Sequence, residues 1–400
     1  MKIQKNTLQS AFFICVCILV VHFIIHTFTG MGWTYSNPYN SYVLQAQRWL
    51  EGHLDLGKNY SHLEIAQYGG KYFISFPPFP SYVMLPFVLI FGQNTPDGLI
   101  AAAAALVGAV YLYRIFKHFE FEEKSAVFWT LFTYIGSNML FITTNAWVWF
   151  IAQNMCFTLS VMALYYAVKN KGGLSLALWA CSVGCRPINA IYVFILLYIL
   201  IKNQKKDNEP IICKKTLLWL IAPVIIAVSY MLLNYARFGS VFEFGHNYLP
   251  EFLEAKDGQF SLNYIKQNLS LLFELPKVEK GIWQYPKVNG MAFYLVTPVF
   301  FVHAVTIIRS IFAGRKADKV IVWGVPVLIA LNFLFLTMHR TMGGFQFGNR
   351  YTLDALPYAV FAIAAIADNK DKYEYWYIPL MLLGLCMNIV GTAAVYNNWI

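Results

Sequence analysis

Residues 68–92 read YGGKYFISFPPFPSYVMLPFVLIFG. Pro77, Pro78 and Pro80 stand in front of an almost wholly apolar run, 81–92. Whether that run crosses a bilayer decides the fold, because every later loop changes side if it does. A spanning helix needs about 20 apolar residues, and this run is shorter. Proline fixes φ and removes a donor, so the three prolines stop any preceding structure and set the entry angle of a short helix.

The basic residues choose between the two readings. Apolar runs at 11–29, 97–116, 125–142, 147–168, 174–185, 188–201, 216–235, 291–312, 320–337, 353–368 and 376–395 read as eleven spanning helices. Arg186-Pro187 is the tight turn between two of them. Suppose 80–92 does not span and the N-terminus lies inside. The N-terminus and the short loops after 116, 168, 201, 312 and 368 then hold Lys2, Lys5, Arg114, Lys117, Lys124, Lys169, Lys171, Lys202, Lys205, Lys206, Lys214, Lys215, Arg309, Arg315, Lys316, Lys319, Lys370 and Lys372. These are 18 of the 30 Lys and Arg. Cytoplasmic loops carry such an excess. If 80–92 spans, the stretch KNQKKDNEPIICKK (202–215) moves outside, which fits poorly. The segment is therefore expected along the outer membrane surface as an interfacial helix. The large loops face outward, the N-terminus is cytoplasmic and the C-terminus extracytoplasmic.

Composition agrees. The 400 residues are 58% hydrophobic, 18% aromatic and 12% charged, whereas soluble domains average roughly 25% charged. The expected fold class is an all-α polytopic membrane protein in one integral domain, 1–400, without an appended soluble domain. The first helix is expected to stay uncleaved, since no small-x-small site follows it. The seven cysteines lie nearly all in apolar runs, which argues against disulfides and thiolate metal sites. The net charge of +10 follows from basic cytoplasmic loops and needs no nucleic acid. AAAAA at 101–105 is a small-residue face for close helix packing. Trp33, Trp147, Trp149 and Trp283 at span ends read as an interfacial belt.

The outer loops 30–96, 236–290 and 338–352 hold the chemistry. The first carries Glu51, His53, Asp55, His62 and Glu64, the second Arg237, Glu243, His246 and Glu251, the third His339, Arg340 and Arg350. Arg186 lies on the same side, and Asp354 begins the next helix. Transfer from a phosphate-linked donor needs these groups. A carboxylate takes the proton from an attacking hydroxyl, and guanidinium forks hold a phosphate leaving group.

The run GHLDLGKNYSHLEIAQYGGKYFISFPPFPSYVMLPFVLIFG (52–92) resembles the first outer loop of C-type membrane glycosyltransferases (the GT-C superfold), such as protein O-mannosyltransferases and lipid A aminoarabinose transferases. NYARFGSVFEFGHNY (234–248) and FGNRYTLDALPY (347–358) are similar to stretches of bacterial members. The resemblance covers about 30–370 in order. It implies a GT-C-like fold, a polyprenyl-phosphate-sugar donor, an outward-facing site and inverting transfer to an envelope glycan, lipid or protein. Some members use a divalent cation, Mg²⁺ or Mn²⁺. Whether a metal is needed here stays open, and the pairs His53/Asp55 and His62/Glu64 are its candidate ligands.

One departure matters. Many members carry an acid just after the first helix and another at the start of the fourth. This chain has Asn37 and Asn40 in the first place and Asn145 in the second. The base must then be Glu64, which precedes YGGKY and the prolines, or Asp55; either could instead be a solvated loop charge. Arg350, Arg186, Arg237 and Arg340 are the candidate phosphate ligands, with interfacial anchoring as the plainer role. His246, Lys71 and Tyr351 are candidate substrate contacts. Two rivals remain. A transporter should place ionisable groups on broken helices in related halves, and only Arg186 fits. An inactive GT-C-like scaffold is kept open by the missing acids.

Overall fold

The computed structural model describes residues 2–208, 210–279, 282–284, 290–312, 317–367 and 375–397. Arg315, Lys316, Lys370 and Lys372 of the charge argument lie outside these residues, as do the side chains of Lys2, Lys5 and Trp283.

Helix α1 (Lys2–Thr29) leads into a folded first loop. That loop holds α2 (Ser41–Leu50), a hairpin of β1 (Ile65–Tyr68) and β2 (Lys71–Ile74), and α3 (Phe79–Phe91). The hairpin pairs Ile65 with Ile74 and turns at Gly69 and Gly70, both at positive φ (57° and 74°). Two such residues make the turn whose twist matches the strands. Helix α3 has 13 residues, about 20 Å at 1.5 Å per residue, which is too short to cross the hydrocarbon core. Pro80 lies in its first turn, and Gly92 ends it.

The remaining helices are α4 (Asp97–His118), α5 (Glu123–Tyr134), α6 (Met139–Thr143), α7 (Val148–Val168), α8 (Gly172–Val183), α9 (Val193–Lys206), α10 (Lys214–Leu218), α11 (Ile221–Phe238), α12 (Pro250–Leu253), α13 (Ile265–Phe273), α14 (Phe293–Val296), α15 (Val299–Phe312), α16 (Lys319–Met338), α17 (Leu356–Ile366) and α18 (Tyr377–Tyr396). A second small hairpin, β3 (Lys277–Glu279) with β4 (Ile282–Gln284), precedes α14. Among the described residues, seven helical segments are long and apolar enough to cross a membrane, and Gly172–Val183, Val299–Phe312 and Leu356–Ile366 are shorter apolar helices. The chain is an all-α polytopic membrane protein.

All eleven expected runs are helical, but they are not all uninterrupted. The run at 125–142 breaks between α5 and α6. There Asn138 leaves the helix, and its amide donates to the Phe347 carbonyl at 3.1 Å and to Asn388 Oδ1 at 3.2 Å. The run at 291–312 breaks at Thr297-Pro298, because Pro298 cannot continue a hydrogen-bonded helix.

Helices α7 and α17 form the middle of the bundle, buried on nearly every face. Helix α7 packs on α4 and α8, and α17 on α15 and α16. The alanine run on α4 lets α7 approach closely. Asn154 and Thr158 of α7 donate to the carbonyls of Ala101 (2.7 Å) and Ala104 (2.8 Å), the small-residue and polar contacts that replace hydrophobic driving force in lipid.

Candidate active site

The ends of these central helices open into a cavity of about 770 Å³. Its walls come from the first loop, the start of α7, the α8–α9 turn, the 242–260 stretch, the end of α16 and the 341–354 stretch. Among the described residues, Arg186 and Arg350 supply its only Lys or Arg side chains.

Arg350 follows the glycine-rich loop TMGGFQFGN. Gly343, at φ 107°, turns its carbonyl toward the arginine, which donates to it from Nη2 at 2.8 Å and from Nε at 3.3 Å. A Cβ at Gly343 would lie 2.8 Å from Gln346 Nε2, and only glycine adopts that backbone freely. Arg350 Nη1 donates to Gln153 Oε1 at 3.2 Å. The residue is 3% exposed. Among the described residues no carboxylate lies within 4.0 Å of it, so it is a buried cation with neutral partners. Burial pulls its pKa down from the ordinary arginine value, but a guanidinium stays charged regardless.

Arg186 behaves differently. Its Nε and Nη2 donate to Asp354 Oδ2 at 3.1 and 2.9 Å. Burial alone would lower its pKa, but the Asp354 carboxylate outweighs that and the net shift is upward. Both guanidinium groups lie against the Tyr351 ring, Arg186 at 4.7 Å and Arg350 at 4.6 Å from its centroid. The electron-rich face eases the crowding of two cations.

Glu64 closes another wall. It sits at the base of the first hairpin, where Ser75 Oγ donates to its carbonyl at 3.1 Å. Its Oε1 accepts from Trp149 Nε1 at 3.1 Å. Burial raises the Glu64 pKa, against the opposing effects of the Trp149 bond and the Arg350 charge. A carboxyl group tuned upward and facing a cavity suits a general base near neutral pH.

The third wall is aromatic. His246 Nδ1–H donates to the Ser75 carbonyl, and the ring lies against Phe76, Phe252 and His339. His339 Nδ1–H donates to the Thr341 carbonyl at 2.8 Å, and its Nε2 lies 3.1 Å from Gln259 Nε2. Burial lowers both histidines, His339 to about 4, so both are neutral at pH 7. Glu251 also lines the cavity from an exposed position, where partial desolvation followed by the Glu64 charge raises its pKa.

The structure thus gathers Glu64, Arg186, His246, Arg350 and Tyr351 around one space. It leaves out four other expected site residues. Asp55 is taken up in its own turn, Oδ1 accepting from the Gly57 amide at 2.8 Å. Lys71 is exposed at the hairpin tip. Arg237 is buried beside the cavity and holds the first loop through the Ile74 carbonyl at 3.2 Å and Asn234 at 3.0 Å. Arg340 pairs its backbone amide with the Gln259 carbonyl at 2.9 Å and does not line the space.

A divalent cation does not fit these residues. Among the described residues no three His, Cys, Asp or Glu side chains group as ligands. His53 is exposed, and His62 Nε2 lies 3.3 Å from the Pro38 carbonyl. Asp354 is already engaged at both oxygens.

No family model matches the chain, and no curated protein matches it. Among solved structures it is similar to the Archaeoglobus fulgidus oligosaccharyltransferase in the apo form, at 13% identity and a TM-score of 0.42. That likeness covers 95% of this chain and 55% of the other, so this chain spans about half its length.

Sequence reading missed Gln153, Trp149 and Asp97. Trp147 and Trp149, at the start of α7, line the cavity. Gln153 stands in an apolar span, VWFIAQNMCFTL, and a buried amide in a spanning helix was the available signal. Where the resemblance leads one to expect acids, Asn37 and Asn145 are hydrogen-bonded to each other at 3.1 Å. The carboxylate beside them comes from Asp97, which accepts from the Asn37 amide (3.1 Å) and from Asn40 Nδ2 (2.9 Å).

Proposed function

We propose that this protein is a membrane glycosyltransferase of the C type. It takes a sugar from a polyprenyl-phosphate carrier and passes it to a cell-envelope glycan, lipid or protein on the extracytoplasmic side. One observation carries the reading: a buried, carboxylate-free Arg350 shares a largely apolar cavity with the upward-tuned carboxyl of Glu64. The resemblance of the first loop to that superfold supports it.

The chemistry is an inverting displacement. The acceptor hydroxyl oxygen attacks the anomeric carbon, and Glu64 takes its proton. The bond between that carbon and the phosphate oxygen breaks. The pair of electrons leaves with the polyprenyl phosphate, which Arg350 holds through charge-assisted hydrogen bonds. Tyr351 orients both guanidinium groups. His246 and His339, neutral and ringed by Phe76, Phe252 and Phe260, form a flat wall on which a sugar face can rest. No step runs through a metal.

Purified full-length protein, offered a panel of polyprenyl-phosphate sugars with and without Mg²⁺ or Mn²⁺, tests this. The expected result is release of polyprenyl phosphate that is independent of metal and lost in Glu64→Gln. Stable binding of polyprenyl phosphate without turnover of any donor would point to a scaffold or a lipid transporter.

A further inference from the structure

The cavity brings two guanidinium groups to one wall, and the structure neutralises one of them. Arg186 gives two hydrogen bonds to Asp354 Oδ2. The other oxygen of Asp354, Oδ1, accepts from Gln153 Nε2 at 3.2 Å. Gln153 is 2% exposed and uses its whole amide here. Its Nε2 also donates to the Arg350 carbonyl at 2.9 Å, and its Oε1 accepts from Arg350 Nη1. One side chain from α7 therefore fixes both the Asp354 carboxylate and the Arg350 guanidinium.

Among the described residues, no carboxylate other than Asp354 lies within 4.0 Å of either guanidinium. Glu243 is taken by the Gly245 amide at 2.6 Å and Asn247 Nδ2 at 2.7 Å. Glu64 accepts from Trp149 on a separate wall and acts on Arg350 only through its field, without a hydrogen bond to it. Glu251 is exposed, and the two histidines are neutral. The arginine wall presents one net positive charge, on Arg350.

A desolvated charge is costly unless an opposite charge of matching size pairs with it. A sugar linked through one phosphate carries one negative charge, and a sugar linked through a diphosphate carries two. We propose that Asp354, held by Gln153, is a specificity-determining residue that restricts the site to donors with a single phosphate charge. It acts through Arg186 by withdrawing that cation from the count. The inference rests on the donor reading above and narrows it.

The test uses full-length protein in detergent and two sugar-free probes. Methyl farnesyl phosphate is a monoanion, and P1-farnesyl P2-methyl diphosphate is a dianion. Affinities for both are measured by native mass spectrometry. The wild-type protein should favour the monoanion. Asp354→Asn frees Arg186 and should tighten the dianion by about tenfold, the effect of one charge-assisted hydrogen bond, while Asp354→Glu keeps the wild-type ratio. Gln153→Glu sets a carboxylate against Arg350 and should weaken both probes. The same ratio in wild type and Asp354→Asn would overturn the charge count. If Asp354→Asn does not fold, monoanion binding undiminished in Gln153→Glu overturns it instead. If wild type binds neither probe, the donor reading fails and this inference fails with it.

Discussion

Glu64 is a carboxyl group placed where ionisation is costly and useful at once. Burial raises its pKa, so the folded chain holds that proton more tightly than the unfolded chain does. Stability therefore falls as pH rises from the ordinary carboxylate range through the folded pKa, and above that window the ionised group destabilises the fold. Glu64→Gln keeps an acceptor for Trp149 and removes the buried charge. It should raise Tm at pH 7 while lowering transfer by about 10²–10⁴-fold, the usual contribution of a general base. A variant that transfers normally takes Glu64 out of the mechanism. Trp149→Phe separates the proposed base from its partner. The Trp149 bond favours the charged form, so its loss moves the Glu64 pKa further up. The acidic limb of the pH–rate profile should shift to higher pH, with the plateau retained; an unmoved limb would mean that Glu64 is not the titrating group. Arg350→Ala removes the charge-assisted contacts and should weaken binding of polyprenyl phosphate by about 10–100-fold. Arg237→Ala should leave that binding much closer to wild type while lowering Tm, because its contacts are with Ile74 and Asn234.

Among the elements, the spans were readable because twenty apolar residues in a row have few other fates. The short helix α3 was readable because proline chemistry and length agree. Glu64, Arg186 and Arg350, which share one cavity, stood out in the sequence because charged groups beside spans have few plain roles. The break between α5 and α6 was not readable: FTYIGSNMLF is apolar enough to continue, and it is the distant Thr297, Phe347 and Asn388 that hold Asn138 where the chain turns. Asp55 lies off the cavity in its own turn, and in sequence a two-residue Asx turn and a catalytic carboxylate look alike. The contact of α18 with the arginine loop was equally hidden. A Cβ on Gly391 would lie 2.1 Å from the Phe347 ring, and Phe347 stands three residues before Arg350. Gly391→Val should push that loop away, cost about 1–3 kcal/mol by overpacking, and weaken donor binding together with Tm. Gly173→Ala, whose new Cβ meets Trp219 at an ordinary 3.5 Å, is the control expected to change neither. Lowered Tm with untouched binding would show that the loop does not depend on α18.

At the scale of the whole molecule, orientation is the property on which the proposed chemistry most depends. The cavity opens at the end of the bundle where the first loop, the 242–260 stretch and the 341–354 stretch meet. The lysine-rich end of α9 lies on the far side of that helix from Arg186, separated by the span Pro187–Lys206. Basic residues concentrate on cytoplasmic loops, and that charge pattern is the ground on which we propose an extracytoplasmic cavity. Lys71 at the exposed hairpin tip and Lys205 at the end of α9 report the two sides. In a chain whose seven cysteines are replaced, Lys71→Cys should react with a membrane-impermeant maleimide on intact cells, and Lys205→Cys only after permeabilisation. The reverse pattern would put the cavity among cytosolic nucleotide sugars. A lipid-linked donor would then have no advantage, because the carrier exists to bring a sugar to a face where soluble activated donors are not supplied. Glu64 and Arg350 would keep their geometry, but the donor offered to them would change class. Labelling of both sites on intact cells would instead mean that the chain lacks a fixed orientation, and the charge argument would lose its force.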